Sequence, residues 1–103
     1  MKRHSEYPQA LRHLYEQLRL SDKTESLRLY SAMKVIADEF QEVIAAANET
    51  FPHGGAYTLE IIRSFLSYLK CAVMPVDGSD KPPAECLELA GSDLEKVENS
   101  LPN

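Results

Sequence analysis

The chain has 103 residues, which is the size of a single domain. Its 44% hydrophobic and 26% charged residues are typical of a globular protein and exclude general disorder. The net charge of −5 argues against general binding of nucleic acid, which requires a positive surface. The charge is uneven: residues 1–34 carry seven Lys or Arg against four Asp or Glu, and residues 35–103 carry four against twelve.

Targeting and membrane signals are missing from the sequence pattern, and the two cysteines stand apart. The basic N-terminus is not followed by an apolar segment, and no run reaches the ~18 apolar residues of a membrane span. Cys71 and Cys86 do not have a close metal or redox spacing. Their surroundings favour buried thiols, and therefore a cytoplasmic location, with a single Cys71–Cys86 disulfide as the alternative.

The first half of the chain predicts two helices. Ser5 is expected to cap the first, and the Asp22-x-x-Glu25 capping box begins a second helix that runs from about residue 23 to 48. Apolar residues recur in this second helix at alternating steps of four and three, which is typical of an antiparallel helix pair. They are Leu29, Met33, Ile36, Phe40, Val43 and Ala47.

The second half predicts a turn, a third helix and an interrupted fourth one. Gly54 and Gly55 allow the chain to reverse, and Thr58 is expected to cap the helix that follows, which ends near residue 74. Residues 74–83 have loop composition. Heptad-spaced apolar residues then continue to Leu101, and Gly91 is expected to kink or break this last helix.

These elements predict an all-α fold, because no segment shows the alternation of a strand. The predicted architecture is a small helical bundle built on a long antiparallel hairpin of residues 22–48 and 58–74. A short N-terminal helix and a kinked or broken C-terminal helix complete it. We expect a single domain over residues 1–103, with flexible ends at 1–4 and 99–103.

The third helix is apolar over too much of its circumference. One row of apolar side chains is formed by Leu59, Ile62, Leu66, Leu69 and Val73, and a second row beside it by Ile61, Phe65, Tyr68 and Ala72. A surface helix needs about one 100° stripe to cover a core. We expect the first row to face the second helix. The second row is covered either by the first and fourth helices or by another protein.

No motif predicts chemistry. His4, His13 and His53 do not have the i+3 or i+4 partners of a metal pair, and no serine lies in a G-x-S-x-G turn. Gly54-Gly55 before a helix is a weak signal for anion binding, and a plain turn explains it. We therefore expect a protein that is not an enzyme and that has no metal and no cofactor.

The helical hairpin resembles the small anti-activators of bacterial quorum sensing, the TraM and QslA type. The resemblance rests on two long helices around the turn NETFPHGGAY of residues 48–57, and on the strings Ala37–Phe40 and Glu49–Phe51 before it. It implies a cytoplasmic, often dimeric protein that binds a LuxR-type transcription regulator and prevents it from acting. The segment after Pro82 departs from that pattern.

The leading functional prediction is an inhibitor that sequesters a protein partner, and that forms a homodimer, without contacting nucleic acid or membrane. Its partner-binding or dimer interface is predicted at Ile61, Phe65, Tyr68, Ala72, Leu27 and Tyr30. One alternative is a toxin-immunity or phage anti-defence inhibitor that uses acidic faces, with Asp38, Glu39, Glu42, Glu85 and Glu88 as its contacts. Another is a structural subunit of a larger assembly.

Overall fold

A computed structural model describes residues 5–51, 55–74 and 81–101 of the chain. It contains four helices, and the described residues include no strand, so the predicted all-α bundle is confirmed. The helices are α1 (Glu6–Arg19), α2 (Lys23–Ala46), α3 (Ala56–Val73) and α4 (Pro83–Asn99), with a 3-10 turn at Asn48–Thr50. None of the described helices combines the length and the apolar character needed to cross a membrane.

The helices pack as a ring in which each is antiparallel to its neighbours. Thr58 near the start of α3 contacts Ser100 just after α4, and Cys71 near the end of α3 is bonded to Cys86 near the start of α4. Each helix packs against the next, and α1 closes the ring against α4. This is an up-down-up-down four-helix bundle. The most extensive contact lies between α3 and α4, and the α2–α3 pair that the sequence emphasised is less extensive.

One apolar cluster fills the centre of the ring and draws on all four helices. Its largest fully buried side chains are Tyr7, Leu11, Met33, Phe40, Ile44, Ile62, Phe65, Leu69, Leu94 and Val97. Tyr7 of α1 stacks on Phe40 of α2, with ring centroids 4.9 Å apart. The α2 stripe is rotated relative to the prediction: Ala37 and Ile44 are fully buried, whereas Ile36 and Val43 lie at its edge.

The predicted helix starts have mixed outcomes. Asp22 does cap α2, because its Oδ1 accepts a hydrogen bond of 2.8 Å from the Glu25 backbone N–H. Ser5 has helical backbone angles and makes no capping bond. Thr58 is not a cap either, because α3 begins two residues earlier, after Gly55 in a left-handed conformation (φ 81°). A side chain at Gly55 would also collide with Ile44.

The predicted interruption of α4 is wrong, since one helix runs through Gly91. Gly91 is required for a different reason: the ring of Tyr15 from α1 lies directly against it, and a Cβ would overlap that ring. The Tyr15 hydroxyl donates a 2.6 Å hydrogen bond to the Leu87 carbonyl one turn earlier in α4. Gly91 therefore allows α1 and α4 to approach closely.

The predicted buried free thiols are also wrong. Cys71 and Cys86 form a disulfide that joins α3 to α4, with their Cα atoms 6.0 Å apart. The flexible end predicted at 99–103 begins with ordered contacts, because Asn99 ends α4 and Ser100 is bonded to Thr58. The predictions for residues 1–4 and 102–103 lie outside the described residues.

Candidate functional site

Two of the four side chains in the second apolar row of α3 are buried within the chain itself. Ile61 and Phe65 are buried in the core, and Tyr68 and Ala72 are half-buried. The physical reason is that α4 is one continuous helix and runs antiparallel along the whole of α3. Ile61 and Phe65 are therefore packed inside this chain and are not available to a partner of the folded protein.

Three ties hold α4 against this edge of α3. The hydroxyls of Thr58 and Ser100 are 2.9 Å apart at one end. In the middle, Ser64 donates a 2.6 Å hydrogen bond to Asp93, whose carboxylate is buried. The Cys71–Cys86 disulfide closes the other end. The ties fix the register of the two helices along their full contact.

The opposite edge of α3 remains partly open. Leu59 and Leu66 are half-buried and each lies five residues before a residue of the α4 edge, Ser64 or Cys71. Five residues correspond to a rotation of about 140° around a helix. Leu59 and Leu66 therefore lie on the α2 side of α3.

The matching edge of α2 carries Leu27 and Tyr30. Tyr7 of α1 contacts α2 at Glu39 and Phe40, so α1 covers the other side of that helix. Leu27 is about 120° from Glu39 around the helix, towards α3. Its side chain is 38% exposed, whereas Tyr30 is 9% exposed. We take the α2–α3 side of the bundle that carries Leu27, Tyr30, Leu59 and Leu66 as a candidate surface and call it the α2–α3 groove.

Of the two predicted interface residues on α2, Leu27 is exposed and Tyr30 is buried in the core, and the sequence analysis did not select Leu59 and Leu66. It assigned both to the row that faces the second helix, which is where they lie. The missing information was how completely α2 covers them.

Basic side chains border the α2–α3 groove. Arg63 and Lys70 are exposed on the solvent side of Leu59 and Leu66. On the α2 side, Lys34 pairs with Asp38 at 2.9 Å. The hydrogen bond that the Lys34 ammonium donates to the Asp38 carboxylate raises the pKa of Lys34. Lys34 therefore stays charged near neutral pH.

Two open cavities of about 390 Å³ each lie at the end of the bundle where α4 begins. The first is lined by apolar residues that include Leu18, Ala72 and Val73, so the predicted site residue Ala72 belongs here. The second lies between α1 and α4 and contains Tyr15. Burial raises the pKa of the Tyr15 hydroxyl, which therefore stays protonated and donates to α4.

The other candidate residues are not gathered into a site. His13 is exposed and bonded to Gln17, while His4 and His53 lie outside the described residues. No group of three His, Cys, Asp or Glu within the described part of the chain could hold a metal ion.

The acidic residues of the alternative prediction are divided between two helices. Asp38, Glu39 and Glu42 lie on α2, and Glu85 and Glu88 lie on α4, which is diagonally opposite in the ring. Asp38 forms an ion pair with Lys34, and Glu39 accepts a hydrogen bond from the hydroxyl of Tyr7. They do not form one continuous acidic face.

Comparison with known protein families, with curated proteins and with solved structures finds no match to this chain. The resemblance to the quorum-sensing anti-activators therefore stays a prediction from the sequence.

Proposed function

We propose that this protein is a non-enzymatic inhibitor that sequesters a protein partner in the α2–α3 groove. The observation that supports this most directly is that Leu59 and Leu66 of α3 are only half-buried on the side towards α2, and that Leu27 of α2 is 38% exposed. Apolar side chains that stay grouped at a surface are typical of interaction sites. The Cys71–Cys86 tie and its neighbours leave the α4 edge closed to such a partner.

Binding in this groove inhibits by occlusion. An amphipathic helix of the partner inserts its apolar face between α2 and α3, and that face is then hidden from its normal target. The resemblance to anti-activators makes a LuxR-type transcription regulator the proposed partner. It also makes homodimer formation part of the proposal.

A cytoplasmic location belongs to the same proposal, because a transcription regulator acts there. The Cys71–Cys86 disulfide argues in the other direction, since disulfides persist mainly in oxidising compartments. Differential thiol labelling of protein taken directly from cells decides between the two. Oxidised cysteines throughout the population would contradict the cytoplasmic part of the proposal and leave the binding surface untouched.

The binding surface is tested with two variants of the full chain used as bait in cells of the source organism. The Leu59→Gln/Leu66→Gln variant should lose a partner that the wild type captures, because it places polar atoms along the groove. Val35→Gln is the matched control: Val35 is 68% exposed and lies on the solvent side of α2. It should keep that partner. Equal capture by both variants would contradict the proposal.

A photo-crosslinking measurement covers the case in which the double variant is poorly folded. A photoreactive residue is placed at Ser67, which is exposed beside Arg63 and Lys70, or at Ser92 on the solvent side of α4. The partner should crosslink from position 67 and not from position 92. Crosslinking from position 92 alone would place the binding surface on α4. Light scattering on the pure protein tests the homodimer independently.

A further inference from the structure

We propose that the cavity lined by Leu18, Ala72 and Val73 binds a small amphiphilic anion, a molecule with an apolar body and one carboxylate or similar charged group. We call it the helix-end cavity. It is separate from the α2–α3 groove, so this inference stands or falls independently of the proposed function. The apolar body lies on the wall formed by these side chains, and the anionic group lies beside Lys23 at the mouth.

The helix-end cavity is formed where α1 and α3 end and where α2 and α4 begin. Small side chains from these helix ends and from the α1–α2 connection leave the space open: Ser21, Ser26, Ala72 and Ala84. The volume of about 390 Å³ is within the range of small-molecule sites. Water takes about 30 Å³ per molecule in the liquid, so the cavity has room for a ligand of roughly ten non-hydrogen atoms.

The walls of the helix-end cavity are fixed by bonds within the chain. The Cys71–Cys86 disulfide joins the last turn of α3 to the first turn of α4, next to the residues of both helices that line the cavity. On the other side, the Ser21 hydroxyl donates a 2.7 Å hydrogen bond to the Leu18 carbonyl. Asp22 caps the start of α2. The site is therefore formed before a ligand arrives, as most small-molecule sites are.

Apolar side chains form the wall of the cavity and continue past its rim. Leu18 and Val73 are buried, and Leu87 of α4 is half-buried beside them. Leu20 and Met74 directly follow lining residues in the chain and are among the most exposed large apolar side chains, with Leu20 91% exposed. Apolar surface grouped in this way is typical of a binding site. It calls for a ligand with an apolar body.

The charge at the mouth of the cavity selects an anion. Arg19 and Lys23 line the cavity, and Asp22 is the one carboxylate among the described lining residues, so the lining has a surplus of one positive charge in a chain of net charge −5. Arg19 is paired with Glu16 at 3.1 Å, and Asp22 already accepts the Glu25 backbone N–H. Lys23 is exposed and forms no ion pair with any described carboxylate. Its ammonium is therefore the group that an anionic ligand would meet.

The experiment uses the full chain with its disulfide and two probes, decanoate and decyltrimethylammonium, which differ in the charge of the head group. Both are added below their critical micelle concentrations, and methyl NMR follows binding. Decanoate should bind saturably and at least about fivefold more tightly than the cation. It should shift the methyl signals of Leu18, Ala72 and Val73 but not that of Val97, which lies at the opposite end of α4. Equal affinities, shifts throughout the core, or no saturable binding of decanoate would overturn the inference.

Charge reversal tests the role of Lys23. Lys23→Glu should weaken decanoate binding by about fivefold or more, because it places a carboxylate at the mouth of the cavity. Lys70→Glu is the matched control: Lys70 is exposed on α3 away from the cavity, and the variant changes the net charge by the same amount. It should change affinity by less than about twofold. If both variants weaken binding equally, the effect is one of net charge and the inference fails.

Filling the cavity tests its location. Ala84 is exposed at the rim, and Ala84→Trp should weaken decanoate binding by about tenfold or more, because the indole ring occupies the space of the alkyl chain. Ala45→Trp, at an exposed position near the opposite end of α2, should leave binding unchanged. Circular dichroism checks that both variants are folded. Decanoate binding to Ala84→Trp with the affinity of the wild type would place the ligand elsewhere and contradict the proposal.

Discussion

The two long edges of α3 differ in how the chain covers them. The edge facing α4 has the most extensive helix contact in the molecule, and it combines a disulfide, a buried carboxylate bond and a hydroxyl pair. The edge facing α2 is held by apolar contact, and no side-chain hydrogen bond joins α2 to α3 among the described residues. The disulfide and the side-chain hydrogen bonds of α3 therefore lie on the edge facing α4. On the edge facing α2, apolar side chains stay partly exposed.

The difference explains why α3 is apolar over so much of its circumference. One part of its surface, centred on Phe65, is needed for the core and for α4. A further part, with Leu59 and Leu66, extends past what α2 covers. Leu59 and Leu66 pack against the core cluster, and the part of each side chain that stays exposed is the surface that the proposed binding function uses.

The largest expected effect distinguishes the two edges directly. Phe65→Ala should lower the free energy of unfolding by about 3–5 kcal/mol, because it removes a fully buried ring and leaves a cavity. Leu66→Ala, at the next residue, should cost only about 1 kcal/mol, because the leucine is only half-buried. Urea denaturation followed by circular dichroism measures both. Similar costs would mean that the α2 edge is as closed as the α4 edge.

The disulfide provides the second test of the comparison. Cys71 and Cys86 are 15 residues apart in sequence, so removing the cross-link should cost about 3 kcal/mol through the greater entropy of the unfolded chain. The variant is Cys71→Ala/Cys86→Ala, and unfolding in urea is the measurement. Leu59→Ala has no cross-link to lose and serves as the comparison on the other edge.

The same experiment has a chemical control. Thiol alkylation of the wild-type protein in denaturant without reductant should label neither cysteine, and labelling after reduction should reach both. Two reactive thiols before reduction would show that the α3–α4 edge lacks its covalent tie. In that case the double alanine variant should also lose little stability.

The sequence predicts the helices better than their contacts. The capping box at Asp22 has a local cause and is confirmed, because a carboxylate three residues before a backbone N–H can bond to it within one turn. The excess apolar surface of α3 was also detectable from periodicity. The role of Gly91 was not, because a gap for the Tyr15 ring and a helix break both require glycine.

The candidate binding surface, like the role of Gly91, depends on packing between helices that are far apart in the sequence. Periodicity shows that Ile61 and Leu66 both lie on apolar rows, but it does not show which row α4 will cover. That choice is fixed by contacts between residues far apart in the chain, such as Ser64 with Asp93. The interface prediction at Ile61 and Phe65 consequently named buried residues, whereas the half-buried Leu59 and Leu66 belong to the neighbouring row.

The smallest expected effect tests the polar tie in the middle of the α4 edge. Ser64→Ala should lower the free energy of unfolding by about 1–3 kcal/mol, because the buried Asp93 carboxylate loses the hydroxyl that donates to it at 2.6 Å. Ser67→Ala, at an exposed position of the same helix, should change it by less than about 0.5 kcal/mol. Both variants replace a serine of α3 by alanine, so the difference between their unfolding free energies does not contain the helix propensity of alanine.

A double-mutant cycle with Asp93→Ala shows whether the cost belongs to the bond itself. If it does, Ser64→Ala should cost much less in the Asp93→Ala background, because no buried carboxylate then remains without its donor. Equal costs in both backgrounds would mean that Ser64 acts only through packing. The α4 edge would then be held by its disulfide and apolar contacts, and the contrast with the α2 edge would reduce to one covalent bond.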